Sequence, residues 1–177
     1  ITARLRTARG VENGASQFGV TTDTAMAKIF MDEAWPEDSR GRAALSVQLA
    51  QNEYESVQLV ITPLWTNLKN LRVHATALEQ HQGAGIIPAE QVAVHRVGYV
   101  EIGTPEYNFT VEKRGHYPDP LLPNAPMDLP AKQNAQPFFI TVRTLADTPS
   151  GMYSGAVIIE ADNAAPVTVP IEVRVWG

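Results

Sequence analysis

The stretch 138–175 decides the fold, and it reads FFITVRTLADTPSGMYSGAVIIEADNAAPVTVPIEVRV. Apolar side chains recur in it at every second position, a period that is typical of half-buried strands. Turn sequences at 148–151 (Thr-Pro-Ser-Gly) and 162–163 (Asp-Asn) divide it into three runs. The apolar members of these runs are Phe138, Ile140 and Val142; Tyr153, Val157 and Ile159; and Val167, Val169, Ile171, Val173 and Val175. The stretch therefore predicts three strands joined by turns.

The same period extends towards the N-terminus. Leu45, Val47 and Leu49 alternate with polar residues, and 54–61 repeats the pattern after the short polar link 51–53. A short polar link between two alternating runs predicts a β-hairpin.

Further strands are predicted at 27–31, 71–75 and 91–102, where apolar residues again alternate. In 91–102 the apolar parity changes, which indicates a bulge or bend near Gly98. Pro170 interrupts the last run and predicts an edge or a bulge there, because proline cannot donate to a ladder.

No stretch sustains helical spacing over the length of a packed helix. Many short strands with regular turns predict an all-β fold, a two-sheet antiparallel β-sandwich of immunoglobulin-like or jelly-roll-like type. We expect residues 1–177 to form one such domain, with 1–25 either inside the sandwich or forming an N-terminal arm.

One long segment, 104–134, lacks this periodicity and predicts a Pro-rich loop. Its apolar content argues against a solvated linker. Because successive prolines favour extended backbone, we expect a rigid arm that lies on a surface. The prolines are Pro105, Pro118, Pro120, Pro123, Pro126 and Pro130.

Composition excludes several classes of function. The 177 residues contain no cysteine, which removes thiol nucleophiles and cysteine-held metals, and they can bury roughly 70% of the unfolded surface without disulfides. A net charge of −5 argues against a nucleic-acid partner, which would require a basic face. No apolar run of about 18 residues occurs, so no membrane partner is expected.

Catalytic chemistry finds little support. Glu53 and Glu55 lie two residues apart on a predicted strand, a separation of about 6.6 Å along the strand. Both side chains would project from it in the same direction. The two carboxylates of a glycosidase must instead face a sugar from different sides. A structural role at the hairpin is favoured for both. The four histidines show no metal-ligand spacing, and no phosphate loop is present, so we predict no catalytic residue, no metal and no cofactor.

Ligand or interdomain contacts are instead assigned to residues near turns and in the Pro-rich segment. Trp35, Trp65 and Trp176 lie next to turns or ends, where they either close the ends of the sandwich or offer flat rings to a sugar. His116, Tyr117 and Asp119 belong to the Pro-rich segment. Both interpretations stay open at this point.

Four motifs in order resemble one family. They are NEYESVQLV at 52–60, with Glu53, Glu55 and Gln58; YPDPLLP at 117–123; QPFF at 136–139; and PSGMYSG at 149–155, with Gly151 and Tyr153. This order resembles the N-terminal β-sandwich domain of glycoside hydrolase family 123 and of related glycoside hydrolases of unknown function. The resemblance spans roughly residues 45–176.

The resemblance implies a non-catalytic domain that packs on and supports a following (β/α)₈ catalytic barrel in the same polypeptide. In such enzymes the catalytic acidic pair lies in the barrel, so no catalytic residue is carried over to this chain. The resemblance also implies a bacterial protein that is secreted or periplasmic. One alternative is a carbohydrate-binding module that binds glycan through its loop aromatics. Another is an adhesion or assembly sandwich of immunoglobulin type, against which Pro170, Glu172 and Arg174 argue because they indicate a sheet edge that does not accept a partner strand.

Overall fold

The computed structural model describes residues 17–32, 44–103, 115–131 and 135–177. Within these ranges the chain forms twelve strands and one 3₁₀ turn at Ala89–Gln91. The strands build two sheets that pack face to face. The predicted all-β sandwich is therefore confirmed.

The first sheet has five antiparallel strands. In spatial order they are β1 (Phe18–Thr24), β3 (Tyr54–Pro63), β10 (Gln136–Arg143), β7 (Val92–Ile102) and β8 (Gly115–Leu122).

The second sheet has seven strands. Its main path is β2 (Leu45–Ala50), β12 (Ala164–Trp176), β11 (Gly151–Ala161), β4 (Leu68–Ala75) and β9 (Met127–Leu129), and the short strands β5 (Leu78–Gln80) and β6 (Ile86–Ile87) extend from β11. All pairs are antiparallel except β2 with β12, which run parallel.

The core lies between the sheets and consists of the residues that alternate inwards. The burial pattern of β2 shows this alternation most clearly, with every second residue buried and the others exposed. The largest fully buried side chains come from both sheets: Phe18, Leu45, Leu49, Leu59, Ile61, Leu68, Leu71, Leu78, Ile87, Leu129, Phe138 and Tyr153. Removing this apolar surface from water is the main stabilising contribution to the fold.

The outer face of the five-stranded sheet is also covered. Segment 25–32, which follows β1, lies over it, and Ile29 packs there against Val60 and Ala135. All three are buried. We call this surface, the outward side of β3, β10 and β7 beneath segment 25–32, the covered face.

A buried and a half-buried polar side chain hold this segment in place through hydrogen bonds. The amide of Gln58, itself 3% exposed, donates to the carbonyl oxygens of Thr24 and Ala27 at 2.8 and 2.7 Å. The Tyr99 hydroxyl donates to the carbonyl of Ile29 at 3.0 Å. A buried donor is costly unless it is paired, so these bonds fix where the segment lies.

The structure contradicts one predicted strand and one predicted hairpin. The alternation at 27–31 does not form a strand, and the strand of this region is β1, at Phe18–Thr24. The apolar residues of 27–31 alternate because Ile29 contacts the covered face. In addition, 51–53 does not close a hairpin: β2 and β3 belong to different sheets, and β2 pairs instead with β12.

The Pro-rich segment is not a continuous loop. Its described part contains β8 and β9, one in each sheet. β8 is the last strand of the five-stranded sheet and pairs with β7 alone among the described strands. Pro118 and Pro120 are tolerated there because an edge strand has one side without ladder bonds. The expectation of a rigid arm on a surface is thus corrected to an extended edge strand.

Two backbone expectations are confirmed. The register between β7 and β8 shifts between Val97 and Tyr99, which places the bulge at Gly98. Pro170 lies one residue before the pairing of β12 with β2 begins at Ile171, so within the described chain it has a ladder partner only on the β11 side. The proline therefore occupies a local edge of an otherwise interior strand.

Candidate functional site

A shallow depression lies on the outer face of the seven-stranded sheet, where β11, β12 and β2 are neighbours. It has a volume of about 290 Å³. Its lining combines an indole, a thioether, an acid, a base and two neutral polar side chains, from Ser46, Val47, Gln48, Met152, Glu172, Arg174 and Trp176. We call it the Trp176 depression.

Strand pairing explains why these residues meet. In the parallel ladder Glu172 lies beside Ser46, and Arg174 beside Gln48. In the antiparallel ladder Met152 lies beside Arg174. Because side chains alternate along a strand, the inward valines of β12 place Glu172, Arg174 and Trp176 together on the outer face.

The Trp176 indole projects from the sheet and is 48% exposed. The Arg174 guanidinium lies over it, with Cζ 4.1 Å from the ring centroid, a cation–π contact. The backbone N–H of Gln51 donates to the backbone carbonyl of Trp176 at 3.2 Å and so holds the end of the strand. The ring is thus supported on one side and keeps surface that a ligand can contact.

Polar groups of the depression are available for a ligand. Ser46, Gln48 and Glu172 are exposed, and within the described chain their side chains form no hydrogen bond or ion pair with another residue. Together they offer a carboxylate acceptor, a hydroxyl and an amide that both donates and accepts. The arrangement can bind a neutral polar molecule with a flat apolar side.

The sequence-predicted candidates do not gather at this depression. His116, Tyr117 and Asp119 lie on β8, in the other sheet. His116 and Asp119 are exposed, whereas the Tyr117 ring meets Phe30 edge-to-face at 5.1 Å, and Lys28 Nζ lies 5.9 Å from its centroid. Tyr117 therefore helps to hold segment 25–32.

The predicted tryptophans are separate from that strand. Trp65 is 57% exposed in the connection after β3, and two strands separate β3 from β8, a distance of about 14 Å at normal strand spacing. Trp35 lies outside the described residues. Trp65 and Tyr117 thus do not form one platform for a sugar.

Glu53 and Glu55 are not arranged as an acid pair around a cleft. Glu53 accepts a hydrogen bond from the Ala50 amide at 2.5 Å and so closes its own turn. Glu55 accepts from the amide of its neighbour Ser56 at 2.8 Å. Both are exposed and serve local backbone groups.

Thr144 at the end of β10 fixes the same turn. Its buried hydroxyl donates to the carbonyl of Ala50 at 2.7 Å and accepts from the Glu53 amide at 3.2 Å. Its own amide donates to the Glu53 carbonyl at 3.0 Å. These hydrogen bonds therefore fix the turn through which the chain passes from one sheet to the other.

Gly151 and Tyr153 close the turn before β11. Tyr153 is fully buried, and its hydroxyl donates to the Pro149 carbonyl at 2.6 Å. Gly151 has φ +149°, and a Cβ there would lie 2.7 Å from the Gln80 side-chain nitrogen. That amide donates to the Ser150 carbonyl at 3.0 Å. The PSGMY motif thus encodes a tight turn.

Among the described residues, three ionisable groups have shifted pKa values. Burial raises the pKa of Tyr99 far above its ordinary value, and the Asp32 carboxylate adds to that shift. Burial also raises the pKa of Tyr153. The exposed Asp128 carboxyl has a lowered pKa, mainly because Lys69 donates a hydrogen bond to it at 2.6 Å. None of the three lines the Trp176 depression.

Metal and membrane signals are both lacking in the described ranges. They contain no group of three or more His, Cys, Asp or Glu side chains placed to hold a metal ion. No helix within them has the length and apolar character needed to cross a membrane.

Sequence reasoning missed the depression itself. The alternation of β12 indicates the residues that this strand contributes to the depression, since the inward valines leave Glu172, Arg174 and Trp176 on the outer face. The residues from β2 could not be predicted, because Ser46 and Gln48 reach the depression through a parallel pairing between strands more than 100 residues apart.

The fold and these geometries define the class as a β-sandwich domain, and comparison with known proteins adds a specific likeness. No family model and no curated protein matches the sequence. Among solved structures, the chain is similar to a family 123 glycoside hydrolase from Clostridium perfringens that acts in glycolipid glycan hydrolysis. The TM-score is 0.72 at 12% identity, over 92% of this chain and 28% of that enzyme's chain.

This likeness establishes a shared fold with about a quarter of the enzyme's length. It agrees at the level of fold with the motif resemblance described above. The Salmonella SafD adhesin also matches, at 12% identity over 91% of this chain and 99% of its own, but its TM-score of 0.45 is too low to support a common fold.

Proposed function

We propose that this chain is a non-catalytic β-sandwich domain of a larger glycoside hydrolase, and that it packs on and supports a following (β/α)₈ catalytic barrel in the same polypeptide. One observation carries the proposal. Nearly the whole chain, 92%, shares its fold with only 28% of a family 123 glycoside hydrolase. A domain that occupies the smaller part of such an enzyme is expected to act together with the larger part.

The carboxylates of this sandwich support the non-catalytic role. Glu53 and Glu55, the acidic pair considered above, bind backbone amides within three residues of themselves. A retaining or inverting glycosidase instead needs two carboxyl groups that flank a sugar.

Two exposed apolar side chains at one edge of the five-stranded sheet support the packing role. Val100 and Leu121 are 46% and 48% exposed. Val100 lies opposite Tyr117, and Leu121 lies four residues further along β8, so the two are spread along the β7–β8 edge. Exposed large apolar side chains are candidate contacts for a partner. We propose this edge as the contact with the barrel.

Activity measurements test the non-catalytic role. This chain is incubated with aryl N-acetylhexosaminides, and release of the aryl group is followed. We expect no turnover. Turnover that is lost in Glu53→Gln or Glu55→Gln would overturn the proposal.

A pair of variants tests the contact with the barrel. Leu121→Arg is made in the complete natural protein and in this chain, with Ile86→Arg as the matched control because Ile86 is also exposed, at 61%, but lies on β6 of the other sheet. We expect Leu121→Arg to lower the melting temperature only in the complete protein, and Ile86→Arg to lower it in neither. Equal effects of the two variants would contradict the proposed contact.

A further inference from the structure

We propose that the Trp176 depression binds one neutral pyranose residue of a glycan. This site differs from the contact proposed for the barrel, which lies on the other sheet. The inference goes beyond the proposed function, because a supporting domain needs no sugar site of its own.

The indole supplies the apolar contact. A pyranose ring has one face of C–H groups, and such a face packs against a flat aromatic ring. Trp176 is 48% exposed, and Arg174 fixes it from one side at 4.1 Å from the ring centroid. A ring held in place loses little conformational freedom on binding, which favours affinity. Met152 adds apolar surface on the β11 side.

The polar groups suit hydroxyls on neighbouring carbons. Glu172 and Ser46 are register partners, and Gln48 lies two residues further along β2, about 7 Å away. The two oxygens of a carboxylate can accept from two adjacent hydroxyls at once, while the serine and the amide donate or accept at the far side of the ring. These side chains have no competing partner within the described chain.

Charge and size favour a neutral sugar. The Glu172 carboxylate would repel the carboxylate of a uronic or sialic acid. The Arg174 guanidinium keeps its charge while it stacks on the indole, so the lining has one charge of each sign and no excess of positive charge to attract an anion. The chain as a whole carries a net charge of −5. A volume of about 290 Å³ lies at the lower end of ligand pockets, which suits a single ring in a shallow site.

Nuclear magnetic resonance titration tests the site. The ¹⁵N-labelled chain is titrated to high millimolar concentration with methyl glycosides of glucose, galactose and N-acetylgalactosamine, and with methyl glucuronide as the acidic counterpart. We expect at least one neutral glycoside to shift the Trp176 indole signal together with amides of β2 and β12. No shift with any neutral glycoside would overturn the proposal.

Two tryptophan variants locate the binding. Trp176→Ala is expected to weaken it at least about tenfold, a loss of one well-packed contact. Trp65→Ala is the matched control, since Trp65 is at least as exposed, at 57%, but lies outside the depression, and it should leave affinity unchanged. Binding that survives Trp176→Ala, or that is lost in Trp65→Ala instead, would overturn the assignment to this depression.

Glu172→Gln tests the specificity, and it keeps the size of the side chain so that folding is preserved. The variant should bind neutral glycosides about tenfold more weakly, because a charge-assisted hydrogen bond is lost. It should also improve the relative binding of methyl glucuronide. Glucuronide that binds the unaltered chain as tightly as the glucoside does would contradict the proposed preference for a neutral sugar.

Discussion

The outer faces of the two sheets differ: a segment of the chain covers one, and the side chains of the other are exposed. On the five-stranded sheet, segment 25–32 covers the face, Val60 is buried and Gln58 is bonded to two backbone carbonyls. On the seven-stranded sheet, the outward side chains of β2 and β12 are exposed, and Gln48 has no partner within the described chain. The first face contributes to folding, whereas the second is free for a ligand.

Two glutamines, one on each face, give the largest expected difference. Gln58→Ala should lower the free energy of unfolding by about 2–3 kcal/mol, because the carbonyls of Thr24 and Ala27 lose the donor that the buried Gln58 side chain supplies. Gln48→Ala removes an exposed side chain and should change it by less than about 0.5 kcal/mol. Urea unfolding measures both variants. Similar decreases in the free energy of unfolding for the two variants would contradict the difference between the two faces.

Tyr99 offers a second test of the covered face. Tyr99→Phe removes the hydrogen bond to Ile29 and should cost about 1 kcal/mol at neutral pH. The pKa of Tyr99 is raised in the folded state, so above pH 10 the unfolded state loses a proton that the folded state keeps. The stabilising contribution is therefore present below pH 10 and declines as the pH rises beyond it.

Alkaline unfolding checks the sign of this effect. Between pH 9 and pH 11 the unaltered chain should lose stability more steeply than Tyr99→Phe, so that the gap between them narrows. Absorbance titration should show one fewer late-ionising tyrosine in the variant. A gap that widens with pH would show that Tyr99 is not buried in the covered face.

The turn between the two sheets sharpens the comparison further. Glu53→Ala should cost about 1 kcal/mol, because the Ala50 amide loses its acceptor. Glu55→Ala should cost less than about 0.5 kcal/mol, since within the described ranges its side chain bonds only to the amide of the next residue. Thermal unfolding of the two variants decides the order. A larger loss for Glu55→Ala would mean that β3, rather than the turn, depends on these acids.

The smallest effect is expected on the open sheet. Trp176→Ala should change the free energy of unfolding by about 0.5 kcal/mol, the size of an exposed cation–π contact with Arg174. A loss as large as that of Gln58→Ala in the same urea measurement would show that the indole is part of the folding core.

Strand alternation made most of the fold predictable from the sequence. The inward valines of β12, the bulge at Gly98 and the local edge at Pro170 all follow from period and proline chemistry. Strand partners did not follow, because pairing depends on contacts distant in sequence. For that reason 51–53 was predicted to close a hairpin, although β2 joins β12 in the other sheet.

The candidate site was predictable only in part. Individual aromatic residues could be singled out, but their grouping depends on which strands are neighbours. Tyr117 was predicted as a ligand or interdomain contact, and its packing on Phe30 was not foreseen; the predicted contact itself stays a prediction. Trp176 was singled out either to close an end of the sandwich or to offer its ring to a sugar, whereas Ser46 and Gln48 meet it only through the parallel ladder.

Hydrogen–deuterium exchange tests the central claim most directly, by comparing this chain with the complete natural protein. The account predicts that peptides from Gly115–Leu122 gain protection in the complete protein, because the barrel covers Leu121 at that edge. Peptides from β2 and from the end of β12 should exchange equally in both, since the Trp176 depression stays open. Protection that appears around Trp176 and not on β8, or no change at either place, would contradict the account.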